Sequence, residues 1–355
     1  MESVGMTPQF WRGRRVLITG HTGFKGSWLA LKLAAAGARI TGIALEPATE
    51  PALFTVANVA QVLERHVICD IRDQAALRDA VQSSAPEVVF HLAAQPLVRA
   101  SYADPVGTFA TNVMGVVHLL DAVTPLAGVR AVINVTTDKV YWNEERSCAY
   151  RETDRLGGRD PYAASKAAAE LVTESWRASF TAGRGIGLAS ARAGNVIGGG
   201  DWAIDRIVPD ALRAWDRSTP LIVRAPGAVR PWQHVLEPLA GYIVLAEALL
   251  DQPERFAQAW NFGPPTDDAR PVAWIADYLA RTMPGFSWHS GANDGPHEAC
   301  LLEVDSSKAR ATLPWRPRWT LAEALDRTVQ WHRDWREGGD AQALCLAQIR
   351  DHAAR

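Results

Sequence analysis

Short apolar runs alternate with helix-length stretches through the first half of the chain. The runs at residues 16–20 and 39–45 are rich in β-branched and aliphatic side chains, which is typical of buried strands. Further strands are predicted at 66–70, 87–94, 131–137 and 187–193, and helices at 74–83, at 106–123 and around Tyr162. Strands that alternate with helices of this length form parallel βαβ units, so the sequence predicts an α/β fold with a doubly wound parallel sheet.

The alternation loosens after Gly194, where glycines and prolines interrupt it. A helix at 236–250 and a strand at 259–263 are predicted to return to the first domain. We therefore predict one domain from residues 1–195 plus about 231–263, which contains at residues 20–26 a glycine-rich turn of the kind that binds dinucleotides. The remaining residues, about 196–230 plus 264–355, are predicted to form a smaller, mixed α/β substrate domain.

Charge and composition narrow the function classes. The chain of 355 residues has a formal net charge of −2, which does not favour binding to nucleic acid or to a membrane surface. No apolar run is long enough to predict a membrane span. The four cysteines include no CxxC pair, which indicates reduced thiols and a cytoplasmic protein. No cluster has metal-ligand spacing, so no metal is expected.

A glycine-rich turn separates the first predicted strand from the first predicted helix. Gly20, Gly23 and Gly26 allow a tight turn and a close approach of backbone N–H groups to a pyrophosphate at the positive end of the helix. The turn also contains Thr22, Phe24 and Lys25. NAD is the expected dinucleotide. NADP stays an alternative, because the acidic residue that would bind the ribose, Glu46, lies slightly late after the second strand.

Tyr162 and Lys166 are four positions apart on a helix that begins after Asp160 and Pro161, so they share one helix face. An ammonium near a phenol lowers the phenol pKa from its usual value of about 10. The phenolate could then accept the proton of a sugar hydroxyl as hydride leaves the same carbon. Thr137, at the end of a predicted strand, is expected to hydrogen-bond that hydroxyl.

Asp138 and Lys139 follow Thr137 at the same strand end. In isolation such a pair could be a solvated, charged turn. Beside an oxidising site it suggests elimination, because a ketone at C4 of a hexose makes the C5 proton acidic. A neutral lysine could remove that proton, and a protonated aspartic acid could assist loss of the C6 hydroxyl as water.

The GxxGxxG turn resembles that of the extended short-chain dehydrogenase/reductases, and with Thr137-Asp138-Lys139 the chain resembles the sugar-nucleotide 4,6-dehydratases. Most members have Glu after Thr-Asp. Lys139 and the form of the glycine turn are similar to the members that act on CDP-glucose. Further matching stretches lie at 95–99, 111–115, 193–202 and 230–235, within a resemblance that runs from about residue 14 to 336.

The resemblance implies conversion of CDP-glucose to CDP-4-keto-6-deoxyglucose and water, with bound NAD. It implies a homodimer or dimer of dimers, packed through the helices at 106–123 and 162–180, and a role in making a 6-deoxy sugar for lipopolysaccharide O-antigen. Beyond the turn and the catalytic residues, the expected cofactor-binding residues are Asp70, Ile71, Ala93, Ala94, Gln95 and Asn112. The expected substrate-binding residues are Asn195, Arg206, Arg230 and His234.

Two other functions stay open at this point. A nucleotide-sugar epimerase or reductase of the same fold would need Tyr162 and Lys166 but not the Asp138–Lys139 pair. A non-catalytic sensor that binds NAD(P) and a protein partner would need neither pair.

Overall fold

The computed structural model of the chain describes residues 8–146, 148–265, 268–292 and 301–355. Its centre is a seven-stranded parallel sheet in the order β11-β6-β5-β4-β1-β2-β3. The strand order reverses direction between β1 and β4, which is the topological switch point where α/β sheets bind ligands. The predicted doubly wound parallel sheet of Rossmann type is confirmed.

The strands are β1 Arg15–Thr19, β2 Arg39–Ala44, β3 Arg65–Ile68, β4 Val88–His91, β5 Ala131–Val135, β6 Gly187–Ala193, β7 Val196–Ile197, β8 Leu221–Val223, β9 Val229–Pro231, β10 Gln233–His234, β11 Ala259–Phe262, β12 Ala269–Pro271 and β13 Trp288–Ser290. The helices are α1 Pro8–Trp11, α2 Phe24–Ala35, α3 Leu53–Val56, α4 Gln74–Ser84, α5 Val98–Ala103, α6 Pro105–Phe109, α7 Gly115–Val123, α8 Pro161–Trp176, α9 Ile207–Asp216, α10 Leu236–Asp251, α11 Pro253–Phe256, α12 Val272–Thr282, α13 Ser307–Thr312, α14 Leu321–Arg336 and α15 Ala341–Ala353.

The strands of the sheet centre are buried on both faces, because helices cover each face. On one face, α2, α10 and α15 enclose a core with large buried side chains such as Trp28, Leu239 and Ile349. On the other face, α4 and α7 enclose a second core that includes Leu77, Leu119 and Val132. Burial on both faces explains why the strands read as continuous apolar runs.

The start of α8 follows from local chemistry. The Asp160 side chain accepts a hydrogen bond of 2.8 Å from the Ala163 N–H, and Pro161 occupies the first helical position. An aspartate cap satisfies a helix N–H that has no partner within the helix, and proline lacks the N–H that would need one. These two residues therefore fix where the helix with Tyr162 and Lys166 begins.

A third apolar core lies among α9, β8, α12 and α14, with Leu212, Leu221, Ile275 and Leu325 among its buried residues. Strand β11 pairs in parallel with β6 and so belongs to the large sheet. Some C-terminal residues, including Trp315, pack into the core of that sheet. The division into the two residue sets given above stays a prediction.

The sequence-based expectation that no apolar run is long enough for a membrane span is corrected, because the helical segment Pro105–Val123 is long and apolar enough, by length and composition, to cross a membrane. Its residues Val116, Leu119 and Leu120 are buried in the core beside α4. The apolar composition therefore fits a helix that packs against the sheet. Five residues of this segment, Ala110–Met114, form a π-helical turn between α6 and α7.

Candidate active site

A cavity of about 900 Å³ opens at the carboxyl ends of β1, β4, β5 and β6. Both the cofactor residues and the catalytic residues predicted from the sequence line it. The predicted residues in its wall are Gly20, Thr22, Gly23, Phe24, Lys25, Gly26, Asp70, Ile71, Ala93, Ala94, Gln95, Thr137, Asp138, Lys139, Tyr162, Lys166, Asn195, Arg206 and Arg230.

The glycine turn forms a cradle in which Gly20 and Gly26 leave no room for a larger side chain. Gly20 has a φ of 77°, and a Cβ atom there would lie 2.7 Å from the Ala93 nitrogen. A Cβ atom on Gly26 would lie 2.1 Å from the Gly20 carbonyl oxygen. Helix α2 then begins after Gly23, which offers no side-chain cap to the first N–H groups. Backbone N–H groups at this helix end suit a pyrophosphate, so the residues fit a dinucleotide.

Replacing Gly26 by alanine is expected to weaken NAD binding by about tenfold or more, because the new Cβ must push the turn apart. Calorimetric titration of the purified protein with NAD measures this loss. Gly128→Ala is the matched control, since a Cβ atom there meets its nearest neighbour, the Pro86 oxygen, at an ordinary 3.6 Å. Equal NAD affinity in the Gly26 variant and the wild type would contradict the cradle.

Asp70 and Glu46 lie in the part of the cavity where the adenosine of the dinucleotide is expected to bind. The Asp70 carboxylate binds Arg72 at 2.6 Å, and this bond is the main reason why the pKa of Asp70 is lowered. Glu46 also lines the cavity and is exposed. An ionised Asp70 and an exposed Glu46 both offer acceptors to ribose hydroxyls.

Asn112 is not among the residues that line the cavity, and its expected contact with the cofactor stays a prediction. Its side chain is buried, accepts from the Gln95 N–H at 2.9 Å and donates to the Gln95 carbonyl at 3.0 Å. It also donates to the Ser165 hydroxyl at 2.9 Å. Asn112 therefore fixes the Gln95 backbone against α8.

Asp138 lies at the end of β5 and is 1% exposed. Its Oδ1 atom accepts a hydrogen bond of 3.0 Å from the Thr137 hydroxyl. Its Oδ2 atom is buried and has no partner among the described residues. Burial raises the pKa of this carboxyl, and the positive charge of Lys139 opposes the shift. Asp138 is thus set up to hold a proton beside a lysine, as an acid catalyst requires.

The electrostatics of Tyr162 differ from the sequence-based prediction. Burial raises the pKa of Tyr162 to about 12, and a hydrogen bond with Thr137 only partly opposes this. The Lys166 ammonium donates to the Val135 carbonyl at 3.1 Å, and burial lowers its own pKa to about 8. The predicted lowering of the phenol pKa by Lys166 is therefore wrong for the protein alone, because burial of the phenol dominates.

Lys25 of the glycine turn interacts electrostatically with two of the predicted catalytic residues, Asp138 and Lys166, as well as lying in the cradle. Burial lowers its pKa to about 8, with a further lowering by Arg206 and an opposing effect of Asp138. Its ammonium lies 5.9 Å from the centre of the Tyr242 ring. The turn therefore presents a cation toward the Asp138 end of the cavity.

A buried ion pair lies behind the end of β5, where the predicted catalytic residues Thr137 and Asp138 follow. The Glu170 carboxylate accepts two hydrogen bonds of 2.9 Å from the Arg192 guanidinium, and both side chains are 3% exposed. It also accepts from the hydroxyls of Thr136 at 2.5 Å and Ser190 at 2.6 Å. Glu170 lies on α8 four residues after Lys166, and its charge raises the pKa of that lysine. The sequence analysis missed this pair, because two distant charged residues give no local pattern.

The predicted substrate residues fall in two places. Asn195, Arg206 and Arg230 line the cavity, and Arg206 donates to the Asp201 carboxylate at 2.9 Å. His234 is not among the lining residues. It is fully buried, with its ring centre 5.9 Å from Trp28 and 4.8 Å from Trp319. Its ring packs in the core behind β10, away from the cavity wall, and the expected contact of His234 with the substrate stays a prediction.

Further cavity residues were not predicted. Arg99, Asp205 and Arg224 form ion pairs at the far side of the cavity, with Asp205 between the two arginines at 3.4 Å and 3.0 Å. Asp210 of α9 also lines this side. Their spacing along the chain gives no signal, because loops and α9 bring them together. In the described ranges, no group of three or more His, Cys, Asp or Glu residues is placed to hold a metal ion.

This combination of a glycine cradle, a Tyr–Lys helix and a parallel sheet defines a nucleotide-dependent enzyme of the extended dehydrogenase type. Residues 16–261 match the family model described as the NAD dependent epimerase/dehydratase family. The chain belongs to this family, and its cofactor is NAD.

Among its relatives, the chain is 49% identical to a CDP-glucose 4,6-dehydratase from Salmonella typhimurium, over 97% of both chains. It is 30% identical to a dTDP-glucose 4,6-dehydratase from Streptomyces antibioticus, over 90% of this chain and 92% of that one. Its fold is similar to a dTDP-glucose 4,6-dehydratase from Streptomyces venezuelae that was solved with NAD. That match has a TM-score of 0.74 and 24% identity, and it covers 92% of this chain and 99% of the other.

Proposed function

We propose that this protein is a CDP-glucose 4,6-dehydratase, an NAD-dependent hydro-lyase that forms CDP-4-keto-6-deoxyglucose and water. Near identity in length with the Salmonella relative, at 49% identity, supports the substrate. The single structural observation that carries the proposal is the buried carboxyl of Asp138, with its unpartnered Oδ2 atom, beside Lys139 and Tyr162 in one cavity. A simple dehydrogenase or epimerase has no use for such a proton donor.

The first proposed step is oxidation at C4 of the hexose. Tyr162 and Thr137 line the cavity together, so a C4 hydroxyl bound there can hydrogen-bond to both. This step uses Tyr162 as the phenolate: the phenol first gives up the proton that burial helps it keep in the protein alone, and its oxygen then takes the hydroxyl proton as the C–H bond breaks. The glycine cradle of Gly20, Gly23 and Gly26 would hold NAD, which would supply the hydride acceptor for C4 and the hydride donor for C6, so the cofactor would be regenerated.

The second proposed step is elimination. Lys139 takes the C5 proton, and Asp138 gives its proton to the C6 hydroxyl, which leaves as water. The raised pKa of Asp138 favours the protonated carboxyl that this step needs. After return of hydride to C6, C5 recovers a proton, and the product differs from the substrate by one water.

The diphosphate of the nucleotide sugar needs cationic partners. Arg206 and Arg230 line the cavity, and their charges act on Tyr162 and Asp138 respectively. Guanidinium groups bind diphosphates with directed hydrogen bonds. We therefore assign both arginines, with Asn195, to the substrate diphosphate, adjacent to the reacting hexose.

The proposed reaction is tested by mass spectrometry of the products from CDP-, dTDP- and GDP-glucose incubated with the protein and NAD. We expect loss of one water from CDP-glucose, with a 4-keto product that absorbs after alkali treatment. A C4 epimer without loss of water would instead indicate an epimerase. NAD binding without turnover of any of the three would indicate a sensor.

We also propose that two copies associate through the face formed by residues 105–123 and 161–181. Apolar side chains on this face are exposed to solvent in the single chain: Val106 at 79%, Leu171 at 56%, Phe180 at 47%, Met114 at 46% and Phe109 at 40%. Exposed apolar side chains concentrated on neighbouring helices favour a helix-to-helix contact between copies. A dimer of dimers would need a further contact.

Replacing both Val106 and Leu171 by aspartate is expected to convert the dimer to monomer, since two charges would be buried unpaired in the contact. Sedimentation velocity measures the mass in solution. Ile68→Asp is the control, because Ile68 is 46% exposed on the edge strand β3 and outside both helices. A wild-type monomer, or a double variant that stays dimeric, would contradict the proposed face.

A cytoplasmic location and a role in lipopolysaccharide O-antigen biosynthesis complete the proposal. Both fit an enzyme that uses a soluble nucleotide sugar and NAD. Reduced thiols are consistent with that compartment, and Cys69, Cys148 and Cys345 are free in the structure. Cys300 lies outside the described residues.

A further inference from the structure

Beyond the diphosphate arginines, the cavity continues between α9 and β8. Its walls there are apolar, with Ile207 and Val208 from the helix and Leu221 and Val223 from the strand. The hexose is assigned to the Asp138 end and the diphosphate to Arg206 and Arg230. The nucleoside of a nucleotide sugar must therefore occupy this remaining part, where two apolar walls suit the faces of a planar base.

One carboxylate stands at this end of the cavity on the helix itself. Asp210 lies one helical turn after Arg206, and its N–H donates to the Arg206 carbonyl at 2.9 Å. The Arg213 guanidinium donates to its Oδ1 atom, and in the described part of the chain Oδ2 accepts no hydrogen bond. Burial raises the pKa of Asp210, Asp205 adds to this effect, and Arg213 and Arg224 oppose it. Asp210 therefore has charged neighbours of both signs, and its Oδ2 atom is available to accept a hydrogen bond from a ligand.

The carboxylate of the neighbouring Asp205 already pairs with two arginines. It binds the guanidinium of Arg224 at 3.0 Å and that of Arg99 at 3.4 Å. These two contacts hold Arg224, which follows β8 directly, at the cavity wall. The base end therefore carries a carboxylate acceptor, Asp210, and a fixed cationic donor, Arg224.

The Asp210 carboxylate and the Arg224 guanidinium match the hydrogen-bonding edge of one pyrimidine base, cytosine. Cytosine presents an amine donor at C4 and acceptors at N3 and O2, whereas uracil and thymine present a carbonyl acceptor at C4 and a donor at N3. A carboxylate accepts from the amine of cytosine, but it repels the C4 carbonyl of the other two bases. A guanidinium beside it donates to N3 or O2 of cytosine and meets a donor at N3 of uracil.

We propose that Asp210 accepts a hydrogen bond from the exocyclic amine of cytosine, and that it thereby selects cytidine nucleotides over uridine and thymidine nucleotides. This inference deepens the proposed function, on which it rests, and gives the nucleobase preference a physical cause. Arg224, held by Asp205, acts with it as the donor to the ring. Asp210 determines specificity and takes no part in the chemistry at the hexose.

The test uses the NAD-loaded protein and compares Asp210→Asn with the wild type. An amide can turn its NH₂ group toward the uracil carbonyl, so the ratio of the dissociation constants for UDP and CDP should fall by about 5- to 140-fold. In kinetics with CDP-glucose, KM should change more than kcat. An unchanged UDP-to-CDP ratio would overturn the proposal.

Arg213→Gln is the matched control, because it removes the ion pair on the same helix and keeps the carboxylate. It should retain the preference for CDP. A loss of preference as large as in Asp210→Asn would mean that the pair only stabilises α9, and it would overturn the proposal.

A second measurement needs no variant. The wild type is titrated with CDP and with the diphosphate of the 2-pyrimidinone riboside, which lacks only the exocyclic amine. We expect about 5- to 140-fold weaker binding without the amine, and equal binding would overturn the role of Asp210. If wild-type protein binds CDP selectively but turns over no CDP-glucose, the proposed function fails while the inference on base selection stands.

Discussion

Asp138→Asn is expected to reduce the turnover of CDP-glucose by about 10²- to 10⁴-fold, because the amide cannot give a proton to the leaving C6 hydroxyl. The side chain keeps its shape, so the hydrogen bond from the Thr137 hydroxyl to its oxygen can persist. Steady-state formation of the 4-keto product measures the loss. Because burial raises the pKa of Asp138, wild-type activity should fall as the pH rises through that pKa and the carboxyl loses its proton.

Hydrogen exchange separates the roles of Asp138 and Lys139. In D₂O, Asp138→Asn should still exchange the C5 hydrogen, since the base remains, whereas Lys139→Ala should stop exchange with NAD still bound. The control is Asp79→Asn, an exposed residue on α4 that should keep wild-type activity. Near-normal turnover in Asp138→Asn, or undiminished C5 exchange in Lys139→Ala, would contradict the assigned roles.

Glu170→Gln is expected to lower the free energy of unfolding by about 3–5 kcal/mol, because it leaves the buried Arg192 guanidinium without a counter-charge. The side-chain oxygen of glutamine can replace only part of the contacts to Thr136, Ser190 and Arg192. Urea unfolding followed by tryptophan fluorescence measures the change. Loss of the negative charge should also lower the pKa of Lys166 further.

The control for this prediction is Glu174→Gln, an exposed position one turn further along α8, which should change stability by less than about 0.5 kcal/mol. Replacing Glu170 and Arg192 together by leucine and methionine should recover much of the loss, since no buried charge then remains. A Glu170→Gln variant as stable as wild type would show that water or nearby groups already compensate Arg192.

The sequence pattern was sufficient for the fold class and for a core set of the residues that line the cavity. Strands that are buried on both faces appear in the sequence as apolar runs, and helix starts appear as capping residues such as Asp160. Both patterns depend on neighbours within a few residues. The carboxyl ends of parallel strands meet at one edge of the sheet. Residues after β1, β4 and β5, such as Gly20, Gln95 and Asp138, could therefore be placed in one site without coordinates.

Properties that depend on burial or on distant partners could not be predicted in this way. The four-residue spacing placed Tyr162 and Lys166 on one helix face, but the packing around the phenol decides that its pKa rises. Sequence position alone suggested that His234 reaches the substrate, whereas its ring packs between Trp28 and Trp319.

The sequence by itself therefore determined the sheet, the glycine cradle and the position of the predicted catalytic residues at the end of β5, since each depends on short-range periodicity and spacing. Only the tertiary structure decided the charge states of the buried ionisable groups and the residues with which they pair. The Glu170–Arg192 pair, and the meeting of Asp210 with Asp205 and Arg224, join residues of different elements. The free energy of a charge depends on how far it is removed from water and on which charges surround it, and both are set by the packing of those elements.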